Sequence, residues 1–209
     1  MSKAERQARL AELKAAQQQV DRKRRRLIIA VSVAVVALLV IPTAVVIIGE
    51  QRRQATVTEA AAEPLPDVVE EPDLDASHVT TDVDYGTLLP PLGGPHDPVW
   101  QDCGFYDQPV RTENAVHSLE HGAVWVTYSE NLPEADVSTL RDLTGRHPYL
   151  LVSPYEELAA PVVATAWGVQ LELDSASDDR LEVFLERYLE GPQTPEPGAA
   201  CSGGTNATS

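Results

Sequence analysis

The hydrophobic pattern of the chain opens with an unbroken apolar run over residues 27–48, which contains no charged side chain. A helix needs about 20 apolar residues to cross a bilayer, so this run is long enough for one transmembrane helix. A cleaved signal has a shorter core of about 7–15 residues and a small-residue cleavage site, whereas Glu50 and Arg52 follow this run. We therefore predict an uncleaved transmembrane helix over 27–48, with a buried core helix of a soluble protein as the alternative.

The pattern beyond this run predicts one compact domain over residues 82–191. Its first part, 85–115, is rich in Gly, Pro and Asp and is typical of an ordered loop. In the rest of the domain, apolar residues alternate in strands or recur at helical spacing. The predicted strands are 123–128, 149–153, 162–167 and 169–173, and the predicted helices are 133–143 and 178–189. This order predicts an α+β fold, with a small β-sheet and two helices on one of its faces.

Three further segments lie outside the predicted domain and span. Residues 1–26 are rich in helix-forming and basic residues, which predicts a short cytoplasmic helix. Residues 49–81 are dominated by Glu, Ala, Pro and Asp, and residues 192–209 by Pro, Gly, Ser, Thr and Ala. Such compositions bury too little apolar surface to offset the entropy of ordering. We therefore predict a disordered acidic linker over 49–81 and a flexible tail over 192–209.

The charge distribution gives the predicted span an orientation. Residues 1–49 hold nine Lys/Arg and three Asp/Glu, a formal charge of +6, whereas residues 50–209 hold seven and 29, a formal charge of −22. Because basic residues tend to stay in the cytoplasm, we predict a single-pass protein of the cell membrane with a cytoplasmic N-terminus and an extracytoplasmic C-terminal domain. A domain this acidic is a poor partner for phosphate backbones, which argues against nucleic-acid binding.

Both cysteines, Cys103 and Cys201, follow the predicted span. In an oxidising compartment a disulfide between them is plausible, and it would tie the tail back to the start of the domain. The alternative is a pair of metal-binding thiols, but their separation matches no zinc-knuckle pattern. The sequence therefore favours the disulfide.

The densest group of chemically active residues is the block from His117 to Gly122, which holds two histidines and a carboxylate. Neutral imidazole suits copper, zinc and iron, and Glu120 can complete or orient the ligand set. The spacing of His117, Glu120 and His121 also matches the H-x-x-E-H pattern of inverzincin proteases. That pattern requires a helix, and Gly122 with the strand that follows it leaves room for one or two turns at most. The protease interpretation is therefore disfavoured.

A second candidate ligand is His96, which follows the rigid Pro- and Gly-rich stretch of residues 90–95. The predicted metal ligands are thus His96, His117, Glu120 and His121. The histidines at 78, in the predicted linker, and at 147, before a proline, are interpreted as solvated or capping residues. No Gly-rich phosphate loop follows a strand and no G-x-S-x-G motif is present, so no catalytic residue is assigned and a non-enzymatic role is favoured.

Four short blocks of the sequence resemble one bacterial family, which is common in actinobacteria: the domain-of-unknown-function family 3105. These blocks are Gly94-Pro95-His96, Gly104-Phe105-Tyr106, His117-Ser118-Leu119-Glu120-His121-Gly122 and Ala166-Trp167-Gly168. The resemblance covers residues 83–191 and is most specific in the third block. It implies a single-pass membrane protein with an outer domain, and it implies no activity. The chain departs from the family pattern at Leu92-Gly93, where a Thr-Ser pair is expected.

Three functional hypotheses follow from these observations. The leading one is a membrane-anchored outer domain that binds a transition metal, copper before zinc, in the cell envelope. The second is a non-catalytic structural or interaction module, whose histidines are hydrogen-bonded scaffold. The third is a metal-dependent hydrolase with Glu120 as general base.

Overall fold

The computed structural model describes residues 3–209, apart from the side chains of residues 5, 8 and 11. The first helix, α1 (Lys3–Ala62), joins the predicted basic helix and the predicted span into one element. Its large apolar side chains over 27–48 are exposed. Within the described residues, this is the one helix long and apolar enough to cross a membrane, judged by length and composition.

The chain divides into two compact units, with the boundary between Gln54 and Ala55. The second unit contains a six-stranded sheet whose strand order is β1-β6-β5-β3-β4-β2. Its strands are β1 (Val68–Glu70), β2 (Gly104–Phe105), β3 (Val124–Tyr128), β4 (Leu150–Pro154), β5 (Val162–Ala166) and β6 (Val169–Leu173). Strand β4 pairs in parallel with β3 and β2, and the other pairs are antiparallel.

Three helices pack on this sheet, one more than the sequence predicts. They are α2 (Thr112–Glu120), α3 (Glu134–Thr144) and α4 (Asp179–Tyr188). The two predicted helices, α3 and α4, are confirmed within a residue or two of their predicted ends. Helix α4 begins where the carboxylate of Asp178 accepts a hydrogen bond from the backbone N–H of Arg180, a standard N-cap contact.

The helices lie on both faces of the sheet, and not on one face as predicted. Alternate residues of a strand point to opposite faces, and Val124 and Val126 of β3 join the larger core with α3 and α4. The residue between them, Trp125, belongs to a second cluster with Val116 and Leu119 of α2. Helix α2 therefore covers the face that α3 and α4 leave free.

The segment 49–81, predicted as a disordered linker, contains regular structure. Helix α1 continues to Ala62, and the guanidinium of Arg187 donates to the carbonyl oxygen of Ala61 at 2.6 Å. Strand β1 then forms one edge of the sheet by pairing with β6. Composition did not indicate this strand because its pairing partner lies about a hundred residues further along the chain.

The segment 192–209, predicted as a flexible tail, is docked on the domain. The disulfide between Cys103 and Cys201 is present, which confirms the favoured pairing. Around it, the N–H of Cys103 donates to the carbonyl of Cys201 at 2.8 Å, and the N–H of Thr205 donates to the carbonyl of Trp100 at 2.9 Å. The tail therefore runs along residues 100–103 through backbone hydrogen bonds that its composition does not encode.

Candidate metal site

Helix α2 positions two of the predicted ligands, His117 and Glu120. The helix forms because Ala115, Val116 and Leu119 are fully buried against the sheet. Residues three apart on a helix share a face, so the side chains of His117 and Glu120 point the same way. Both lie at the carboxyl end of a nine-residue helix, which is longer than the one or two turns that the sequence predicted before Gly122.

His96 reaches these residues from the Pro- and Gly-rich loop. The loop packs closely where Gly93 adopts φ +152°, because a Cβ atom at Gly93 would lie 2.8 Å from the side chain of Leu74 and 3.2 Å from that of Trp167. The His96 ring is fully buried, and its Nδ1 lies 2.9 Å from the carbonyl oxygen of Gly94. The loop thus holds the ring with its Nε2 atom pointing inward, toward helix α2.

The fourth member of the group is His78, which sequence reasoning placed in a linker and did not propose as a ligand. Its backbone forms an isolated parallel bridge with His96. The N–H of Val79 donates to the carbonyl of His96 at 2.7 Å, and the N–H of His96 donates to the carbonyl of Ser77 at 3.0 Å. This bridge fixes the backbone of His78 beside the buried loop.

The three imidazole side chains converge on the carboxylate oxygen Oε2 of Glu120. The distances from this atom to the Nε2 atoms are 2.9 Å for His96, 3.7 Å for His78 and 3.9 Å for His117. The three ring centroids lie 4.8–4.9 Å apart, and one donor atom from each residue lies within 4.8 Å of all the others. Such a group of three imidazoles and one carboxylate could hold a metal ion.

Hydrogen bonds to backbone carbonyls fix the protonation of two of these rings. The Nδ1 of His96 faces the Gly94 carbonyl, and the Nδ1 of His117 lies 2.6 Å from the carbonyl of Asp97. A carbonyl oxygen only accepts hydrogen bonds, so in both rings Nδ1 carries the proton. In neutral rings both Nε2 atoms then present lone pairs to the interior, which is the arrangement that metal-binding histidines require.

The contact between His96 and Glu120 is a buried hydrogen bond of 2.9 Å between Nε2 and Oε2. Because Nδ1 of His96 faces the Gly94 carbonyl, Nε2 is the ring nitrogen that points at the carboxylate. A metal ion bound by both atoms would take the place of this hydrogen bond.

Electrostatic surroundings keep the His117 ring neutral. Burial and, to a smaller extent, the neighbouring rings of His121, His96 and His78 together lower the pKa of His117 to about 4. The hydrogen bond to the Asp97 carbonyl opposes these effects without cancelling them. The backbone of Asp97 is held in turn, since its carboxylate pairs with Arg111 at 2.5 Å.

Acid should destabilise the metal-free domain through His117. Since its pKa is about 4 in the folded state and near 6.5 in the unfolded chain, the unfolded state binds more protons between these pH values. The contribution of His117 to stability is then fully present above pH 6.5 and falls by about 3 kcal/mol as the pH drops toward 4. Urea unfolding followed by tryptophan fluorescence measures this, because all three tryptophans lie in the second unit.

The matched variant for this measurement is His117→Gln, whose amide N–H groups can still donate to the Asp97 carbonyl. Its free energy of unfolding should depend less on pH between 6.5 and 4. Equal pH dependence in wild type and variant would contradict the assignment to His117.

The fourth predicted ligand, His121, is not in the group that the structure brings together. Helix α2 ends at Glu120, and His121 follows as its C-cap residue. Its Nδ1 lies 2.7 Å from the carbonyl of Ala200 in the tail, and its Nε2 lies 3.7 Å from the carboxylate of Glu196. The rings of His117 and His121 are in contact, with centroids 4.5 Å apart, but their nitrogen atoms face different partners, which is unlike the paired zinc ligands of that pattern.

Comparison with known proteins agrees with the family resemblance. The fold and the site define an α+β domain with a buried histidine–carboxylate group on the α2 face of its sheet. A family profile described as "Protein of unknown function (DUF3105)" matches residues 78–203, and the chain belongs to this family. The match runs beyond the 83–191 region on both sides, and it includes His78 and Cys201. No curated protein and no solved structure matches the chain.

Proposed function

We propose that this chain is a membrane-anchored protein whose second unit lies outside the cytoplasm and binds a divalent transition-metal ion in the cell envelope. The observation that carries the proposal is the convergence of three Nε2 atoms on one carboxylate oxygen, at 2.9, 3.7 and 3.9 Å. Ligands at about 2.0–2.1 Å from a tetrahedral zinc ion lie about 3.3 Å apart. The observed distances to Glu120 bracket this value, and the donor atoms, which lie within 4.8 Å of one another, would move closer together around an ion.

The chemistry of the ligands narrows the choice of ion. Three imidazole nitrogens and one carboxylate suit Zn²⁺ and Cu²⁺, whereas Cu⁺ favours soft sulfur ligands. Both cysteines are in the disulfide, and Met1 is the sole methionine of the sequence. Copper(II) and zinc are therefore the ions to test first.

The location in the envelope has two supports. The formal charge of +6 before residue 50 and −22 after it favours a cytoplasmic N-terminus. The disulfide fits an oxidising compartment, because thiols remain reduced in the cytosol of most organisms. An acidic surface also attracts cations, and this raises the local concentration of metal ions near the site.

The test is a calorimetric titration of the purified full chain in detergent with Zn²⁺ and with Cu²⁺. We expect one ion to bind per chain, since one donor atom from each of the four residues lies within 4.8 Å of the others. No binding heat with either ion would refute the proposal.

A second candidate function is a structural or interaction module, which the hydrogen bond between the His121 ring and the tail favours, because that ring lies outside the metal group. The rings of His96, His117 and His121 each have Nδ1 paired with a backbone carbonyl, as expected of a scaffold. A chelator separates the two functions. A metal protein loses thermal stability when the chelator removes its ion. A scaffold keeps the same melting temperature in chelator, but the substitution His117→Ala lowers it.

A further inference from the structure

His78 differs from the other three members of the metal group in its access to solvent. Its side chain is 47% exposed, whereas His96 is fully buried and His117 and Glu120 are each 5% exposed. The buried ligands lie beneath it, and the His78 ring stacks on the His117 ring at a centroid distance of 4.9 Å. An ion at this site is therefore approached from solvent past His78.

His78 also differs in how its ring is held. The rings of His96 and His117 are fixed by Nδ1–H donation to the carbonyls of Gly94 and Asp97. Among the described residues, no hydrogen bond to a backbone carbonyl holds the ring of His78. Its backbone is nevertheless fixed by the two hydrogen bonds of the His78–His96 bridge. The ring can therefore leave the site by side-chain rotation, without movement of the backbone, once it gives up its contacts with the rings of His96 and His117.

On these grounds, and resting on the proposed function, we propose that His78 is an exchangeable ligand through which the ion enters and leaves the site. His96, His117 and Glu120 form the permanent part of the site, and the fourth position accepts a neutral nitrogen donor from outside the chain when His78 rotates away. A site built in this way passes an ion on by ligand exchange, while a site of four locked ligands retains it.

The experiment follows the transfer of Zn²⁺ from the loaded full chain, in detergent, to an excess of a chromogenic chelator. We expect His78→Ala to retain one ion per chain and to release it about tenfold faster than wild type. Free imidazole at millimolar concentration should fill the vacant position and restore slow release. His117→Ala should retain no ion, and His147→Ala, which changes a histidine outside the group, should match wild type.

The possible outcomes separate this inference from the proposed function. Failure of the wild-type chain to retain an ion would refute the proposed function itself. Retention by wild type together with complete loss in His78→Ala would make His78 a permanent ligand and overturn the inference. Release at the wild-type rate in His78→Ala, or no response to imidazole, would overturn it as well, because His78 would then not contact the ion. Slower release with imidazole in His78→Ala but not in His147→Ala is the supporting result.

Discussion

Replacing Glu120 with glutamine is expected to weaken the binding of Zn²⁺ or Cu²⁺ by about 100-fold or more. Mutation of a residue that only hydrogen-bonds to a metal ligand lowers metal affinity by about 10–100-fold. Glu120 is itself a predicted ligand and supplies the single negative charge among the four. Its Oε2 is also the atom on which the three imidazoles converge. Competition titration against a chelator of known affinity measures the change.

The same substitution should leave the metal-free fold intact. The glutamine amide is close in shape to the carboxylate and supplies an N–H group that can donate to Nε2 of His96. The neutral His96 ring then keeps its hydrogen bond to the Gly94 carbonyl. A loss of affinity in Glu120→Gln is therefore attributable to the missing ligand and not to unfolding, which an unchanged urea midpoint would verify.

A matched control tests the alternative ligand set that the sequence favoured. Like Glu120, Glu196 is a carboxylate close to a histidine ring, and its carboxylate lies 3.7 Å from Nε2 of His121. Glu196→Gln should change metal affinity by less than about threefold, since Glu196 does not belong to the group of four. His121→Ala removes a ring that contacts His117, with centroids 4.5 Å apart, so it should lower affinity somewhat but far less than Glu120→Gln does. A loss of metal affinity in His121→Ala as large as that in Glu120→Gln would support the ligand set predicted from the sequence, which includes His121.

The parts of the fold that the sequence predicted correctly are those with strong local signals. Strand β3 consists of five buried residues, and helix α4 has a cap residue and a regular apolar stripe. Helix α2 was missed because its N-cap, Arg111, makes no side-chain cap bond and only three of its nine residues are apolar. Its stability comes from packing against the sheet, and a local sequence pattern does not predict such tertiary contacts.

The site shows the same division between local and distant information. The block from His117 to His121 and the rigid loop at His96 identified three of the four grouped residues. His78 was missed because its position depends on a backbone bridge to His96, eighteen residues away, within a segment whose composition is typical of disorder. His121 was included because it lies four residues after His117 in the same short block, and no pattern in the sequence indicates that its ring is held by the Ala200 carbonyl in the tail.

Breaking the disulfide should produce the largest loss of stability that we predict. Cys103 and Cys201 are 98 residues apart, and closing a loop of that length stabilises a fold by up to about 4.7 kcal/mol in the chain-entropy model. We expect Cys103→Ala/Cys201→Ala to lower the free energy of unfolding by about 3–4 kcal/mol, since measured values often fall below the model. Wild type treated with reductant should show the same loss, and the variant should not respond to reductant.

The disulfide variant also tests how the tail is related to the metal group. The tail holds His121 through the Ala200 carbonyl, whereas the carbonyls that orient His96 and His117 belong to Gly94 and Asp97. Metal affinity measured below the melting temperature should therefore change by less than about threefold when the disulfide is absent. Loss of binding together with the disulfide would show that the docked tail maintains the site, and equal stability with and without reductant would contradict the role assigned to the bridge.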